Sequence, residues 1–451
     1  MEKIITQIAE NFIKKILENI SSGKTLEEIE PYLLRSCKET TVKIAEEYIA
    51  VLDKEILLDK EGRKRIGYSV ERRKDNRRIY TSIGEINYGR TYYKKASGGY
   101  EYPTDKLLGV ESRERVSKPI KRELVKQAKE VSYGRSARNV TNSEISRQTV
   151  MQSIRQSNQK SKLSETREKV SSLHIDADET HITMTGGKKA IVPLISVYDG
   201  IERENKRGKC KNIFHISEYG LSADELWGKA SEEIYSRYDL SNAKIYLHGD
   251  GGAWIQRGLE NFRDTQFVLD QYHKNKAIMS MVAGITGKER ENFDREIRRS
   301  LNNNEKELFE QLTDCLCSLM PERKEEILKN GYYLAKYIEA IAIRKTDAEA
   351  NNGGCTEPHI SHILASRLST RPMAWSGETL THLAPILAGN DFNFAKQTKS
   401  EDLPLPLKAA EVRARRKAQR GSAGLPSPDS IGHLGINGKI TDTQKILKFY
   451  C

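Results

Sequence analysis

Leu173-His-Ile-Asp-Ala-Asp-Glu-Thr-His-Ile-Thr183 is the stretch on which the reading of this chain turns. Apolar residues at 173, 175 and 177 alternate with polar ones, the two-residue period of a β-strand, so Asp176 and Asp178 share one face. Gly186-Gly187 follows as a tight turn, and Ala190 to Tyr198 returns as a second strand. Further along, Asn212 to Tyr219 predicts a third strand, Ala223 to Tyr235 a helix, Lys244 to His248 a fourth strand, Trp254 to Asn261 a helix and Gln266 to Leu269 a fifth strand. Three strands in hairpin order, followed by helix, strand, helix, strand, predict a mixed α/β sheet.

That element order is the order of the ribonuclease H-like fold, at this stage an analogy of fold alone. Acidic residues fall where such a sheet makes them converge. Asp176 and Asp178 lie on the first strand, and Tyr246-Leu-His-Gly-Asp-Gly-Gly-Ala-Trp-Ile255 ends the fourth strand with Asp250 and two glycines that admit a close substrate backbone. Carboxylates gathered at strand ends repel one another unless a divalent cation neutralises them, and Mg²⁺ prefers hard oxygen donors.

Upstream, the chain reads as three regions. Residues 1–60 carry apolar residues at helical spacing, from Ile5, Ile8 and Phe12 onward and again from Leu26 to Leu58. Residues 61–112 hold a basic stretch, Arg63 to Arg78, leading into a β-rich segment around Gly84-Glu85 that predicts a hairpin in a small basic β module. Residues 113–162 return to helical spacing. There Glu123 to Val131, Ser136 to Val140 and Ser146 to Arg155, with a turn over Thr141-Asn-Ser-Glu144, have the layout of a helix-turn-helix. Val150 and Ile154 mark the inner face of its last helix, and Arg147, Gln148, Gln152 and Arg155 the face expected to read DNA. Lys121 and Lys126 are expected to face phosphates.

Charge supports a polyanionic partner. The 451-residue chain carries a formal net charge of +12. The excess is clustered: Arg113 to Lys162 has 13 basic and 4 acidic residues, and Lys408 to Arg420 has 6 and 1. Each phosphate such a surface neutralises releases condensed counterions. No apolar run approaches the roughly 20 residues needed to cross a bilayer, which predicts no membrane association and a cytoplasmic location. Six scattered cysteines, none in a C-x-x-C pair, argue against a disulfide framework or a zinc finger.

The chain resembles the DDE transposases of the ISLre-type insertion sequences and, more loosely, the mutator group. The resemblance rests on Asp-Ala-Asp-Glu-Thr-His at 176–181, His-Gly-Asp-Gly-Gly-Ala-Trp-Ile at 248–255, Asp270-Gln-Tyr-His273, and the run from Glu357-Pro-His-Ile to Ala-Trp-Ser376. It covers nearly the whole chain and implies a ribonuclease H-like core over 170–285, a helical insertion over 286–350, a final core helix region over 351–390 and a basic tail over 391–451. By position it places the catalytic, metal-holding carboxylates at Asp178, Asp250 and Glu357, with Asp176 as alternative first ligand and Glu378 as rival to Glu357. Asp270 and His273 would shape the site. Thr356 is a candidate N-cap, with Glu357-Pro358 opening the helix. His359, His362, Arg367 and Arg371 are candidate phosphate contacts, and Trp254 and Trp375 are read as packing residues.

The resemblance further implies two Mg²⁺ ions, with Mn²⁺ an alternative, and double-stranded DNA as partner at element ends and target. It also implies a homo-oligomer on that DNA and a nucleoid-associated bacterial setting. Two other readings stay open: a helix-turn-helix regulator without catalysis, and a structure-selective nuclease of the same fold.

Overall fold

The computed structural model describes residues 2–20, 24–142, 144–159, 163–204, 207–370 and 373–394. Most of the expected tail, from residue 395 on, lies outside them, as does Arg371. Two compact units divide the chain, residues 1–153 and 154–451.

In the first unit, α1 (Glu2–Ile20), α2 (Leu26–Leu58) and the short α3 (Lys60–Arg65) precede a three-stranded antiparallel sheet of β1 (Tyr68–Thr81), β2 (Gly84–Lys95) and β3 (Tyr100–Glu101). Glu28 starts α2 by accepting from the Thr25 amide and hydroxyl, at 2.9 and 3.0 Å. Ile49 of α2 is buried with Ile79, Ile86 and Tyr88 of the hairpin. Asp53 of α2 also holds the Thr91 amide at 2.9 Å and the Thr104 hydroxyl at 2.6 Å.

The basic stretch expected to flank the hairpin is, from Tyr68 onward, strand β1 itself. Its charges alternate outward while Arg77, Ile79 and the β2 residues opposite them fill the inside. After β3 comes α4 (Pro103–Leu107), whose Asp105 is buried. It accepts from the Tyr88 hydroxyl at 2.7 Å and pairs with Arg77 at 3.1 Å and with Arg90. Arg90 in turn lies over the Tyr102 ring, 3.6 Å from its centroid.

Three helices follow: α5 (Lys118–Glu130), α6 (Tyr133–Thr141) and α7 (Arg147–Arg155), the last running across the boundary between the units. Ser132 caps α6, and the buried Ser136 hydroxyl donates to Leu124 O of α5 at 2.7 Å. Asn142 ends α6 in the left-handed region, with φ of 51°, as Asn tolerates better than most residues. Ile120, Leu124, Val125, Ala137 and Val150 are buried.

The second unit contains a mixed five-stranded sheet. Short β4 (Asn158–Gln159) and β5 (Glu168–Lys169) lead to β6 (Ser172–Thr183), β7 (Lys189–Tyr198), the hairpin β8 (Ile201–Glu204) and β9 (Arg207–Cys210), and β10 (Phe214–Ile216). After α8 (Ala223–Arg237) and short β11 (Tyr238–Asp239) come β12 (Lys244–Gly249), α9 (Ala253–Gln256) with a 3-10 turn over Arg257–Asn261, and β13 (Thr265–Leu269). The sheet order is β10-β7-β6-β12-β13; β7 is antiparallel to both its neighbours, and β12 is parallel to β6 and β13.

The third strand is shorter than expected, and β8–β9 was not foreseen. The run 201–210 is charged and short, without the apolar alternation that reveals a strand packed on a core. On one sheet face, Leu173, Ile175, Ala177, Ile195, Ile245 and Leu247 pack against Leu226, Trp227 and Ile234 of α8.

After β13 the chain is helical: α10 (Gln271–Met281), α11 (Gly287–Asn302), α12 (Lys306–Leu319), α13 (Lys324–Lys336) and α14 (Ile338–Thr346). They share a core of Ile278, Ile297, Phe309, Leu316, Ile327, Leu334 and Ile341. Next come a 3-10 turn over Ala348–Asn352 and α15 (Thr356–Ile360), a π-helical turn over Ser361–Ala365 and α16 (Ser366–Leu368), then α17 (Gly377–Leu387) and short β14 (Phe392–Asn393).

Asp105 is the polar centre of the first unit. Asp105→Ala leaves Arg77 and Arg90 without their carboxylate, and the expected loss is about 3–5 kcal/mol, the usual cost of breaking a buried pair from one side. Urea unfolding of the variant measures it; a loss within about 0.5 kcal/mol would mean that the arginines reach water instead.

Candidate functional site

The second sheet face is polar. On β6, His174 and Asp176 are buried; His174 stands opposite Tyr198 of β7 and Tyr246 of β12, and Asp176 opposite Ser196 and His248. The pairing of β12 with β6 and β13 brings Gly249 beside Leu269, and the two residues next in line, Asp250 and Asp270, leave the ends of β12 and β13 together. Continuing the same register, Asp178 stands on β6 at the level of Asp250. Three carboxylates therefore sit in a row across three adjacent strands, spaced by the usual roughly 4.8 Å between strands.

The Asp250 loop is held from several sides. Its Oδ1 accepts from Gly252 N at 2.8 Å, the Asp250 carbonyl accepts from the Tyr333 hydroxyl at 2.9 Å, and the Gly251 carbonyl from the Tyr337 hydroxyl at 2.8 Å. Gly251 has φ of +86°, and a Cβ there would meet the Tyr337 ring at 2.4 Å, so the loop requires glycine. The helices after β13 thus position the loop through two tyrosines that the sequence reading passed over.

Asp270 caps α10, accepting from Tyr272 N at 2.9 Å, His273 N at 3.2 Å and His273 Nδ1 at 3.2 Å. Burial pushes the Asp270 carboxyl up, but the hydrogen bonds from His273 outweigh it and leave the pKa below the ordinary aspartate value. His273 moves the other way. Its hydrogen bond to Asp270, opposed by burial and reinforced by the charges of Asp270, Asp178 and Asp250, raises its pKa. Burial pushes Asp178 up to about 7, the Glu179 amide and His273 pull against this, and the charges of Asp250 and Glu179 add to it. Asp178, Asp250, Asp270 and His273 therefore form one electrostatic group.

Asp176 belongs to a different one. It accepts from the Tyr198 hydroxyl at 3.0 and 3.1 Å and from Gly354 N at 3.1 Å, and His359 Nδ1 lies 3.4 Å away. Behind it His174 Nδ1 meets His248 Nε2 at 3.2 Å, and Arg344 Nη2 lies 3.4 Å from His248 Nδ1. Burial lowers the pKa of both histidines, with Arg344 further disfavouring charge on His248. Gly353 packs so closely on the two rings that a Cβ would meet His248 Nε2 at 2.1 Å. The signal for this layer was in the period of two: His174, Asp176 and Asp178, and Tyr246, His248 and Asp250, repeat polar residues on one strand face.

Glu357 lies in the first turn of α15, which packs on β6, but Cys355 and not Thr356 occupies the cap position. Among the described residues no three His, Cys, Asp or Glu side chains stand close enough together to hold a metal ion, so Glu357 does not close a cluster with Asp178 and Asp250. Its rival Glu378 is turned away, paired with Arg155 at 2.7 Å.

That pairing corrects the reading of Arg155 as a DNA-facing residue: its guanidinium also donates to the Thr379 and Ser376 hydroxyls at 3.0 and 2.9 Å. Lys121 is likewise engaged, 3.0 Å from the carboxylate of Glu114. Arg147, Gln148, Gln152 and Lys126 are exposed. Arg367, a candidate phosphate contact, is buried over Trp375, and Trp254 stacks on Trp227, whereas His362 is exposed.

A family model described as an uncharacterised protein family, UPF0236, matches residues 19–399. The chain belongs to UPF0236. A UPF0236 protein of Caldanaerobacter subterraneus subsp. tengcongensis is 34% identical over 99% of this chain and 97% of its own length, and its name joins eleven gene labels. A second from that organism is 34% identical over 86% of this chain and 84% of its own. A UPF0236 protein named for the vanSb 3' region of Streptococcus gallolyticus is 24% identical over 81% and 82%. The polar row and the layer behind it lie within the matched residues of this UPF0236 chain.

A carboxyl with a folded-state pKa near 7, against an ordinary 3.8, favours the protonated fold; the stability it contributes is lost as pH rises towards 7. A cation bound at Asp178 must displace that proton, and the raised pKa of His273 opposes binding in the same direction. Thermal melts with and without Mn²⁺ are expected to show a larger metal-induced rise in Tm at pH 8 than at pH 6. Asp178→Asn is expected to erase the difference. Equal shifts at both pH values in the wild type would exclude Asp178 as the titrating ligand.

Proposed function

We propose that this chain is a DDE-type transposase that binds the inverted-repeat ends of its own element, cuts DNA there and joins the freed 3′ end to a target. The observation that carries this reading is the level placement of Asp178 and Asp250 on adjacent parallel strands, beside the Asp270–His273 pair. The sheet order β10-β7-β6-β12-β13, with β7 alone reversed, supports a ribonuclease H-like core. The helices of 287–346, lying between Asp270 and Glu357, support the insertion that the resemblance implies.

The donor set fits a hard divalent cation. Asp178 and Asp250 are neighbouring carboxylates, and the raised pKa of Asp178 reflects burial and like charge that a cation would relieve. These two would hold it, with Glu357 brought in from α15 as the third. A bound divalent cation would supply the polarisation that phosphodiester cleavage and in-line transfer require. Tyr333 and Tyr337 keep the Asp250 backbone fixed, and Asp270 keeps His273 turned beside the carboxylates. Arg147, Gln148 and Gln152 are exposed on α7, at and near its start, where a recognition helix meets base edges, and Lys126 is free to meet phosphate.

A relative whose one name joins eleven gene labels supports a sequence that multiplies in its genome, as a mobile element does. That copy pattern has no counterpart in the expectation for a regulator or a repair nuclease.

Asp250→Asn is expected to leave folding and end binding intact while reducing Mn²⁺- or Mg²⁺-dependent strand cleavage by orders of magnitude. Asp178→Asn is expected to do the same, and Asp176→Asn to lower thermal stability first, because its carboxylate joins Tyr198 and Gly354 in the buried layer. Cleavage by the Asp250 variant at wild-type rate would remove it from the site; cleavage without joining would make the protein a nuclease.

Recognition is tested apart from chemistry. Replacing Arg147 or Gln148 by Ala is expected to cost about 1–3 kcal/mol of preference for element ends over random DNA. Lys126→Ala is expected to weaken both alike and flatten the salt dependence. Titrations at two salt concentrations measure both, and unchanged preference in the α7 variants would move the reader elsewhere.

A further inference from the structure

Five of the cysteines lie in described residues, and two that are far apart in sequence meet. Cys210 ends β9, opposite Ile201 in the β8–β9 hairpin, and Cys355 immediately precedes α15. Their thiols hydrogen-bond each other, both are partly exposed and neither is in a disulfide. The contact is flanked by fixed groups: His359 Nε2 lies 3.9 Å from Cys210 Sγ, His359 is held by Asp176 at 3.4 Å, and Gly354, next to Cys355, donates to the same carboxylate. The hairpin base is fixed too, since Lys211 N donates to Gly200 O at 2.9 Å at the end of β7. Both sulfurs are thus delivered from anchored backbone to one point.

We propose that Cys210 and Cys355 form a dithiol–disulfide couple, a modification site that, when oxidised by a small-molecule disulfide such as oxidised glutathione, ties the β8–β9 hairpin to the start of the Glu357 helix. One protein sulfur, as thiolate, attacks the oxidant's S–S bond and releases one thiol, leaving a mixed disulfide. The second protein sulfur then attacks the protein-side sulfur of that mixed disulfide and releases the other thiol. Two electrons and two protons leave the protein dithiol, and the oxidant becomes two thiols. The sulfurs close from hydrogen-bond contact to a bond of about 2.05 Å. A closed loop of this size also restricts the unfolded chain, which favours the oxidised fold. Two thiols in contact without a third donor at coordination distance favour a disulfide over a soft-metal site. The couple depends on the two sulfurs alone and is independent of the catalytic reading.

The full chain, reduced, freed of reductant and treated with oxidised glutathione, is digested without reduction and mapped by mass. The expected product is a Cys210–Cys355 linked peptide lighter by two hydrogens than the two free peptides, reversed by dithiothreitol and absent in Cys210→Ser and Cys355→Ser. Each serine variant is expected to trap the remaining cysteine as the mixed disulfide, which shows that it is reachable in a folded chain, checked by a thermal melt. Amide hydrogen exchange over 354–360 is expected to slow on oxidation in the wild type and not in Cys210→Ser. Both thiols still free after oxidation, pairing with other cysteines, or unchanged exchange over 354–360 in the linked protein overturns the proposal. Zinc bound at one per chain and released by thiol modification overturns it in favour of a metal site. DNA cleavage is not among the readouts, so failure here leaves the transposase reading where it stood.

Discussion

The second unit depends on one register. β12 lies parallel to β6 with His248 beside Asp176, and a slip of one residue on either strand would exchange its polar and apolar faces. Leu173, Ile175 and Ala177, and Ile245 and Leu247, then leave the α8 core, and His174 and His248 enter it. The apolar face therefore enforces the placement of Asp178 level with Asp250, although neither aspartate contributes to that core. Trp227, fully buried and bonded through its indole N–H to Trp254 O at 2.7 Å, ties the same core to the turn that follows the Asp250 loop.

The polar face is closed by a different principle. Buried imidazoles and a buried guanidinium are costly unless satisfied. Here each is joined to a neighbour from another element: His174 to His248, His248 to Arg344 of α14, and Arg344 to the carbonyl of Ala350 at 3.3 Å. At the edge, Asp347 accepts from the Tyr246 hydroxyl at 2.7 Å and from Lys244 at 3.0 Å. The chain after the helical insertion is fastened to the sheet by directional bonds, which specify where α15 begins more narrowly than apolar packing would. A π-helical turn directly after α15 adds a point where the helix departs from regular geometry, a feature often found beside functional sites.

The strands of the central sheet were legible because their apolar residues recur every second position, and the long helices because theirs recur every three or four. Asp250 was legible from the glycines after it, and Asp270 and His273 from their spacing on one helical turn. What escaped was whatever depends on partners distant in the chain. Arg155 reads as an outward residue of α7, yet it meets Ser376, Thr379 and Glu378 more than 200 residues later, and no local period announces that. Lys121 is engaged by Glu114 from before its own helix. The two cysteines carry no mutual spacing signal, and Tyr333 and Tyr337 read as ordinary helix residues until the Asp250 loop lies under their hydroxyls.

The row of Asp178, Asp250 and Asp270 poses an electrostatic problem that the surrounding residues solve without a cation. Three charged carboxylates on adjacent strands would repel one another strongly in a partly buried setting. His273, whose pKa is raised, offsets Asp270 directly, and Asp178 keeps a proton up to about pH 7. The fold is thus stable with the row partly neutralised, and the neutralising proton sits on the one carboxylate that, with Asp250, offers the best place for a cation. Proton and cation then compete for a single position, so the same burial that lets the sheet fold with its acids in place also makes cation occupancy depend on pH close to neutrality.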